Sequence, residues 1–168
     1  MIEIAICNEQ DLLALDEDRW QQAITLVLEE AGIRQAAVSL ALVDDAAIHE
    51  LNRRYLAHDE PTDVLSFLLE SGPAVLEGEI VASAETACRA AAEWGWSAAD
   101  ELLLYVVHGA LHLVGYDDLT EPARTDMLAR QREVLARMGV TEPEGAREAD
   151  AARGTRQASS RRGGAAPL

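Results

Sequence analysis

The sequence predicts an α+β fold, a single domain in which a mixed sheet of about four strands packs against helices. Two observations lead to this prediction. Strand-like segments of alternating polarity are interspersed with segments of helical period in the first half of the chain, and helical periods dominate the second half. The chain has 168 residues, 49% of them hydrophobic, which is the size of one domain able to bury its own core.

Each predicted element has a local signal. Short apolar runs, or alternating apolar and polar residues, bounded by turn residues predict strands at residues 2–6, 38–43, 64–69 and 78–82. Apolar residues at helical spacing predict helices ending near residue 30 and near residue 55, and three more at about residues 84–94, 98–113 and 120–138. Asp16 or Asp18 caps the first helix, and Asp44 caps the second.

The charge is unevenly distributed. The chain carries 14 basic residues, all of them Arg, against 30 acidic ones, for a net charge of −16. Residues 1–145 are predicted to form the folded domain, with a net charge of −19, and residues 146–168 an Arg-containing tail with a charge of +3. We expect this tail to be disordered because it has almost no large apolar side chain to bury. Taken alone, the acidic body disfavours nucleic-acid binding.

Membrane and disulfide signals are weak. The longest unbroken apolar run, residues 102–107, is far shorter than the roughly 20 residues of a membrane span. We see no secretory signal pattern, and two cysteines do not suggest a disulfide framework. We therefore expect a cytoplasmic protein without a membrane partner.

A late helix and the turn after it predict a metal site. Ser97 and Asp100 form a capping box that starts this helix. His108 and His112, four residues apart, project from one face and can share a metal ion. Gly115 ends the helix, so that the turn can bring Asp118 back to the same ion. Asp117 is the neighbouring competitor for this role.

The spacing HxxxHxxGxxD is close to the longer zinc-metalloprotease signature. Such a peptidase needs a Glu after the first His as its general base, and here that position is Gly109. The pattern therefore favours a metal site but excludes the peptidase mechanism.

This string, together with DEPTDVLSF at residues 59–67, closely resembles the YbeY family of bacterial endoribonucleases. The resemblance implies one zinc ion, cleavage of single-stranded RNA, maturation of the 3′ end of 16S rRNA and a role in ribosome quality control. It also implies single-stranded rRNA and the small ribosomal subunit or 70S ribosome as partners, with no DNA expected. His108 and His112 match the first two ligands, and Asp118 occupies the third position, where most members have His. Two His and one carboxylate would also suit Fe²⁺ or Mn²⁺.

A second departure concerns an arginine. In the family, a helix-ending Tyr is normally followed by an Arg that faces the metal and the phosphate, whereas Tyr55 is followed here by Leu56. Arg53 lies only about 60° from the direction of residue 56 if the helix persists, so it is a hypothetical replacement. The alternative is that Arg53 and Arg54 form a solvated helix face.

The loop before the third strand offers further candidates. Thr62 and Ser66 could donate hydrogen bonds to a phosphate, and His58 could transfer a proton or approach the metal. The catalytic base is not identified, and attack by water or by the neighbouring 2′-hydroxyl fits equally. Two rival functions stay open: a ribosome-associated binding module with a structural metal, and a non-haem iron oxygenase.

Overall fold

The computed structural model describes residues 1–144. Its elements, in chain order, are β1 (Ile2–Asn8), α1 (Glu17–Glu30), β2 (Gln35–Val43), α2 (Asp45–Leu56), β3 (Val64–Gly72), β4 (Val75–Ser83), α3 (Ala84–Trp94), α4 (Ala98–Leu113) and α5 (Glu121–Arg137). The predicted α+β fold is confirmed. The predicted tail at residues 146–168 lies outside the described residues, so the boundary at residue 145 stays a prediction.

The four strands form one mixed sheet in the order β1-β2-β4-β3. β1 pairs with β2, and β2 with β4, in parallel, whereas β3 pairs with β4 antiparallel through a tight hairpin. Helical crossovers are needed between the parallel neighbours, which explains why helices and strands alternate in this half of the chain. β2, β3 and β4 run several residues beyond their predicted bounds, because ladder pairing continues both through exposed polar residues such as Glu70 on β3 and through buried apolar ones such as Ala36 on β2 and Leu76 on β4.

The sheet separates two apolar clusters. The larger one packs α1, α4 and α5 on one face and includes Trp20, Ile80 and Leu103. The smaller one packs α2 on the opposite face through Ile48 and Val81. Ile80 and Val81 are neighbours on β4, so the strand's alternation assigns them to opposite clusters. α4 is buried along nearly its whole length and forms the centre of the larger cluster.

Side-chain caps fix where the helices begin. Asp16, rather than Asp18, caps α1 by accepting a hydrogen bond from the Arg19 backbone N–H. Asp44 caps α2 and Ser97 caps α4 in the same way, as predicted. Among the described residues, no helix is both long and apolar enough to cross a membrane.

Asp45 links the start of α2 to the start of α3. Its carboxylate accepts hydrogen bonds from the Ser83 and Thr86 hydroxyls at 2.6 and 2.7 Å, and from the Arg89 guanidinium at 2.6 Å. Burial alone would raise the pKa of Asp45, but these three hydrogen bonds and the positive charge of Arg89 outweigh it and lower that pKa. This polar junction holds α2 in place beside the loop that leads to β3.

Candidate metal centre

α4 presents both histidines of the predicted site from one face. The Nε2 atoms of His108 and His112 lie 3.0 Å apart, and their rings meet edge to face. His108 is buried and His112 is half-buried. The i, i+4 spacing therefore produces the convergence that the sequence predicts.

The turn after α4 brings the third predicted ligand to the same place. Gly115 adopts a positive φ of 104°, and the Tyr116 backbone N–H donates back to the Leu111 carbonyl at 3.0 Å. This reversal buries Asp118, with its Oδ2 at 3.8 Å from His108 Nε2. Ligand atoms of His108, His112 and Asp118 all lie within 4.8 Å of one another.

Hydrogen bonds at the far side of each ring set the protonation of these histidines. The His112 Nδ1 lies 2.9 Å from the Tyr116 carbonyl oxygen, which can only accept, so Nδ1–H is the donor. The His108 Nδ1 lies 3.0 Å from Gln131 Oε1, which is also an acceptor. Both Nε2 atoms therefore present lone pairs to the same space.

The donor set fits a cation. Both carboxylate oxygens of Asp118 are buried, and neither has a hydrogen-bond partner among residues 1–144. Buried polar atoms are normally satisfied, so this pair of oxygens requires an explanation. Two imidazole lone pairs and one carboxylate facing a common space are the ligand types of a divalent transition metal.

The electrostatics keep the second histidine neutral. Burial, followed by the nearby charge of His108, lowers the pKa of His112 from 6.5 to about 4. A neutral imidazole is the form that ligates a metal. His112 is therefore in its ligand form at neutral pH.

Asp117, the alternative third ligand that the sequence left open, has a different local role. Its Oδ1 accepts a hydrogen bond from the Leu119 backbone N–H at 3.1 Å. This turn contact shapes the segment that carries Asp118. Asp117 is not a member of the three-residue cluster.

The surroundings of Gly109 show why this position, which is a catalytic Glu in zinc proteases, carries no side chain here. A Cβ at this position would lie 2.9 Å from Ile80 Cγ2, 3.0 Å from Ser66 Oγ and 3.1 Å from Val64 Cγ2. The position therefore faces the sheet, and its glycine lets α4 approach β3 and β4 closely. The Ser66 hydroxyl donates to the Gly109 carbonyl at 3.0 Å, which fastens the histidine helix to β3.

Comparison with known proteins identifies the family. The profile described as Endoribonuclease YbeY matches residues 5–139. The chain belongs to the YbeY family. The Endoribonuclease YbeY of Moorella thermoacetica is 50% identical over 117 residues, which cover 63% of this chain and 75% of that protein. That of Pelotomaculum thermopropionicum is 40% identical over 149 residues, covering 82% and 98% of the two chains.

A solved structure agrees with the fold. The solution structure of a protein from Thermotoga maritima superposes with a TM-score of 0.57 at 25% identity. The match covers 84% of this chain and 99% of that one. The YbeY resemblance inferred from the two sequence motifs is thus confirmed by the family profile and by the relatives.

The other sequence candidates lie on α2, on the following loop and on β3. Arg53 is exposed on α2, and its guanidinium makes a bidentate ion pair with Glu50. That contact raises the pKa of Arg53. The Thr62 hydroxyl donates to Asp63 Oδ1 at 3.3 Å, and His58 is half-buried with its backbone N–H bonded to the Asn52 carbonyl. Arg53 and Thr62 thus bond to Glu50 and Asp63, and the roles of these side chains in a YbeY site stay predictions.

Leu56, which stands where the family normally has Arg, is a packing residue. It is half-buried and packs against the smaller apolar cluster on the α2 face of the sheet. α2 ends there, and Ala57 follows in a left-handed conformation with φ of 56°. The position is therefore used for packing in this chain.

Three residues that lie around His108, His112 and Asp118 were not predicted from the sequence. Gln131 and Glu142 lie behind His108, and Arg124 donates to the Asp118 carbonyl at 3.2 Å. Gln131 had a usable signal, because it is a polar residue within the buried stripe of α5 between Met127 and Val134. Glu142 follows the last helix and has no such periodic signal.

Proposed function

We propose that this chain is a metal-dependent endoribonuclease that cleaves single-stranded RNA. The observation that supports it is the convergence of His108, His112 and Asp118, with both Asp118 oxygens lacking a protein partner. Three protein ligands leave a position for substrate, whereas structural zinc sites are closed by four. Relatives at 40–50% identity are named endoribonucleases, which supports RNA as the substrate.

The proposed metal is one Zn²⁺ ion per chain. Two imidazoles and one carboxylate also suit Fe²⁺ and Mn²⁺, so metal analysis is part of the test. A divalent ion held there would supply Lewis-acid polarisation of the scissile phosphodiester. The chain's own contribution is to fix three ligands of one ion from a rigid helix and the turn that follows it.

The proposed substrate contacts come from α2 and the β3 side of the site. Arg53 would exchange its bidentate partner Glu50 for an RNA phosphate, which matches the same planar guanidinium. Thr62 and Ser66 are further proposed phosphate donors, each of which would exchange its present acceptor, Asp63 or the Gly109 carbonyl, for a phosphate oxygen. His58 is the proposed proton carrier. Each of these assignments follows from the sequence pattern and from the family.

The proposed cellular role follows from YbeY membership. We assign the chain to maturation of the 3′ end of 16S rRNA and to ribosome quality control, acting on single-stranded rRNA. The small ribosomal subunit or the 70S ribosome would be its partner, and the cytoplasm its location.

The test combines metal analysis with RNA cleavage. Purified protein should contain about one metal ion per chain and cleave a single-stranded oligoribonucleotide, with both properties lost in His112→Ala. Product-end analysis would distinguish attack by water from attack by the 2′-hydroxyl, because only the latter leaves a cyclic phosphate. A metal-loaded protein that cleaves neither free RNA nor ribosomal particles would favour the binding module with a structural metal.

The arginine hypothesis has a matched control. Arg53 and Arg54 are adjacent and both exposed on α2, so replacing either removes the same charge from the same helix. Arg53→Ala should lower cleavage about 10-fold or more, and Arg54→Ala should have little effect, because a lost charged hydrogen bond costs about 1.5–3 kcal/mol. Equal activities would leave Arg53 without a special role.

A further inference from the structure

Buried polar side chains connect His108 to the chain beyond the last helix. Gln131 Oε1 lies 3.0 Å from His108 Nδ1, and Gln131 Nε2 donates to Glu142 Oε1 at 3.0 Å. Gln131 is 1% exposed and Glu142 is 8% exposed. Glu142 lies in the segment after α5, 30 residues beyond His112 in the sequence, yet it reaches the back of the metal cluster.

Packing alone does not explain a glutamine at this position. The other buried residues of α5 are Met127, Val134 and Leu135, all apolar. A buried amide is unfavourable unless both of its ends are hydrogen-bonded, and a Leu or Met would fill similar space without that requirement. Gln131 satisfies the requirement by bonding His108 at one end and Glu142 at the other.

The connection also has a direction. A carboxylate oxygen accepts hydrogen bonds, so Glu142 turns the amide N–H₂ of Gln131 toward itself. The amide oxygen must then face His108, where it accepts from Nδ1–H. This leaves the proton off Nε2, the atom that faces His112 and Asp118.

We propose that Gln131 and Glu142 are positioning residues that hold His108 in its metal-ligating tautomer. The inference rests on the metal site of the proposed function but not on RNA cleavage. If the amide were reversed, its N–H₂ would face His108 Nδ1, which would place the proton on Nε2 and block the ligand position. Outer partners of this kind commonly change metal affinity by about 10–100-fold.

The variants keep shape and change hydrogen bonding. Gln131→Met has a similar volume and loses both hydrogen bonds. Glu142→Gln keeps the shape but can present either end of its amide to Gln131. The double variant Gln131→Glu with Glu142→Gln restores both contacts, since Glu at 131 accepts from His108 and Gln at 142 donates. Glu144→Gln is the matched control, because it removes one acidic charge from the same segment at an exposed position.

Zinc affinity, measured by competition with a chromophoric chelator, gives the first readout. Gln131→Met should bind Zn²⁺ about 10–100-fold more weakly than wild type, and Glu142→Gln should also bind more weakly. The double variant should return to within about threefold of wild type, and Glu144→Gln should match it. Wild-type affinity in both single variants, or a double variant as weak as Gln131→Met, would overturn the proposal.

Nitrogen-15 NMR of the histidines in metal-free wild-type protein gives a second readout that needs no variant. The His108 ring should carry its proton on Nδ1, and finding it on Nε2 would overturn the proposal. RNA cleavage is not measured in either experiment. A protein that shows the predicted tautomer and zinc affinities but cleaves no RNA would contradict the proposed nuclease function alone.

Discussion

Asp118, the proposed third metal ligand, is a buried carboxylate that is unfavourable for folding in the metal-free protein. Its buried carboxylate faces two imidazole lone pairs and has no hydrogen-bond partner in residues 1–144. A buried carboxylate without a partner destabilises the metal-free fold, whereas a bound cation would compensate it. The unpaired carboxylate is therefore best explained as a metal ligand.

Replacing Asp118 by Asn should separate these two effects. We expect the melting temperature of metal-free Asp118→Asn to be a few degrees above that of wild type, corresponding to about 1–3 kcal/mol, because the uncompensated charge is removed. Zinc affinity should fall by more than the ~10–100-fold that is typical when a residue hydrogen-bonded to a ligand, rather than the ligand itself, is replaced. Thermal unfolding with chelator, together with metal titration, measures both.

Asp117→Asn is the control for this prediction. Its side chain makes the turn contact with Leu119 and is outside the ligand cluster. Metal affinity should stay within about threefold of wild type, since no ligand is lost. A larger loss in Asp117→Asn than in Asp118→Asn would reverse the ligand assignment.

His112 should make the stability of the metal-free protein depend on pH. Its pKa is about 4 in the fold against 6.5 ordinarily, chiefly because of burial. Between these values the unfolded chain binds the proton more readily than the fold does, so stability is complete above pH 6.5 and declines as the pH falls toward 4. The loss should be at most about 3 kcal/mol.

Urea unfolding of metal-free protein from pH 7 to pH 4 measures this loss, and His112→Gln should flatten the profile over that interval. Identical pH profiles for wild type and His112→Gln would show that His112 does not titrate in this way.

At the scale of elements, the site depends on how closely α4 lies against the sheet. Gly109 lies on α4 between His108 and His112 and faces Ile80 and Ser66 on the sheet. The Ser66 hydroxyl donates a hydrogen bond to the Gly109 carbonyl. Because both histidines are on the same helix, any displacement of α4 moves two ligands relative to Asp118. Helix–sheet packing and ligand geometry are therefore coupled.

Gly109→Ala should test this coupling. Alanine is the better helix former by up to about 1 kcal/mol, but the added Cβ would lie 2.9 Å from Ile80 Cγ2. Overpacking costs about 1–3 kcal/mol, so we expect net destabilisation in urea unfolding and weaker zinc binding.

Gly72→Ala is the matched substitution, since a Cβ there meets no atom within 4 Å. Its stability should stay within about 0.5 kcal/mol of wild type. Gly109→Ala that is as stable as Gly72→Ala and binds zinc normally would show that α4 has room to move.

For the whole molecule, the charge of −16 limits how RNA can be bound. An acidic body repels a polyanion at long range. RNA binding must therefore come from local contacts at the proposed metal site and from positively charged side chains near it. Five of the 14 arginines lie after residue 145. We propose that these arginines contribute to RNA binding through their positive charge.

Removing residues 146–168 should weaken RNA binding without affecting the metal site. The net charge would change from −16 to −19, and Glu142 would be retained. We expect a severalfold lower affinity at low salt and a smaller difference at high salt, where screening shortens the reach of charge. Fluorescence anisotropy with a labelled, cleavage-resistant oligoribonucleotide measures it.

A full-length variant separates charge from length. Replacing arginines 147, 153, 156, 161 and 162 by Gln should reproduce the effect of the deletion, because only charge is lost. Unchanged affinity at low salt in both proteins would leave the metal cluster and its surroundings as the sole basis of binding.

The sequence by itself determined the α+β class, the helix caps and the two-histidine, one-aspartate cluster, because each depends on residues close together in the chain. Helical spacing aligns His108 with His112, and a glycine turn returns the chain within six residues of the second histidine. Only the tertiary structure decided that Gly109 faces β3 and β4 and that Gln131 and Glu142 lie behind His108. The buried stripe of α5 marks Gln131 as a polar residue facing inward, but those contacts join distant segments through packing and single hydrogen bonds, so the sequence does not show which residues they connect.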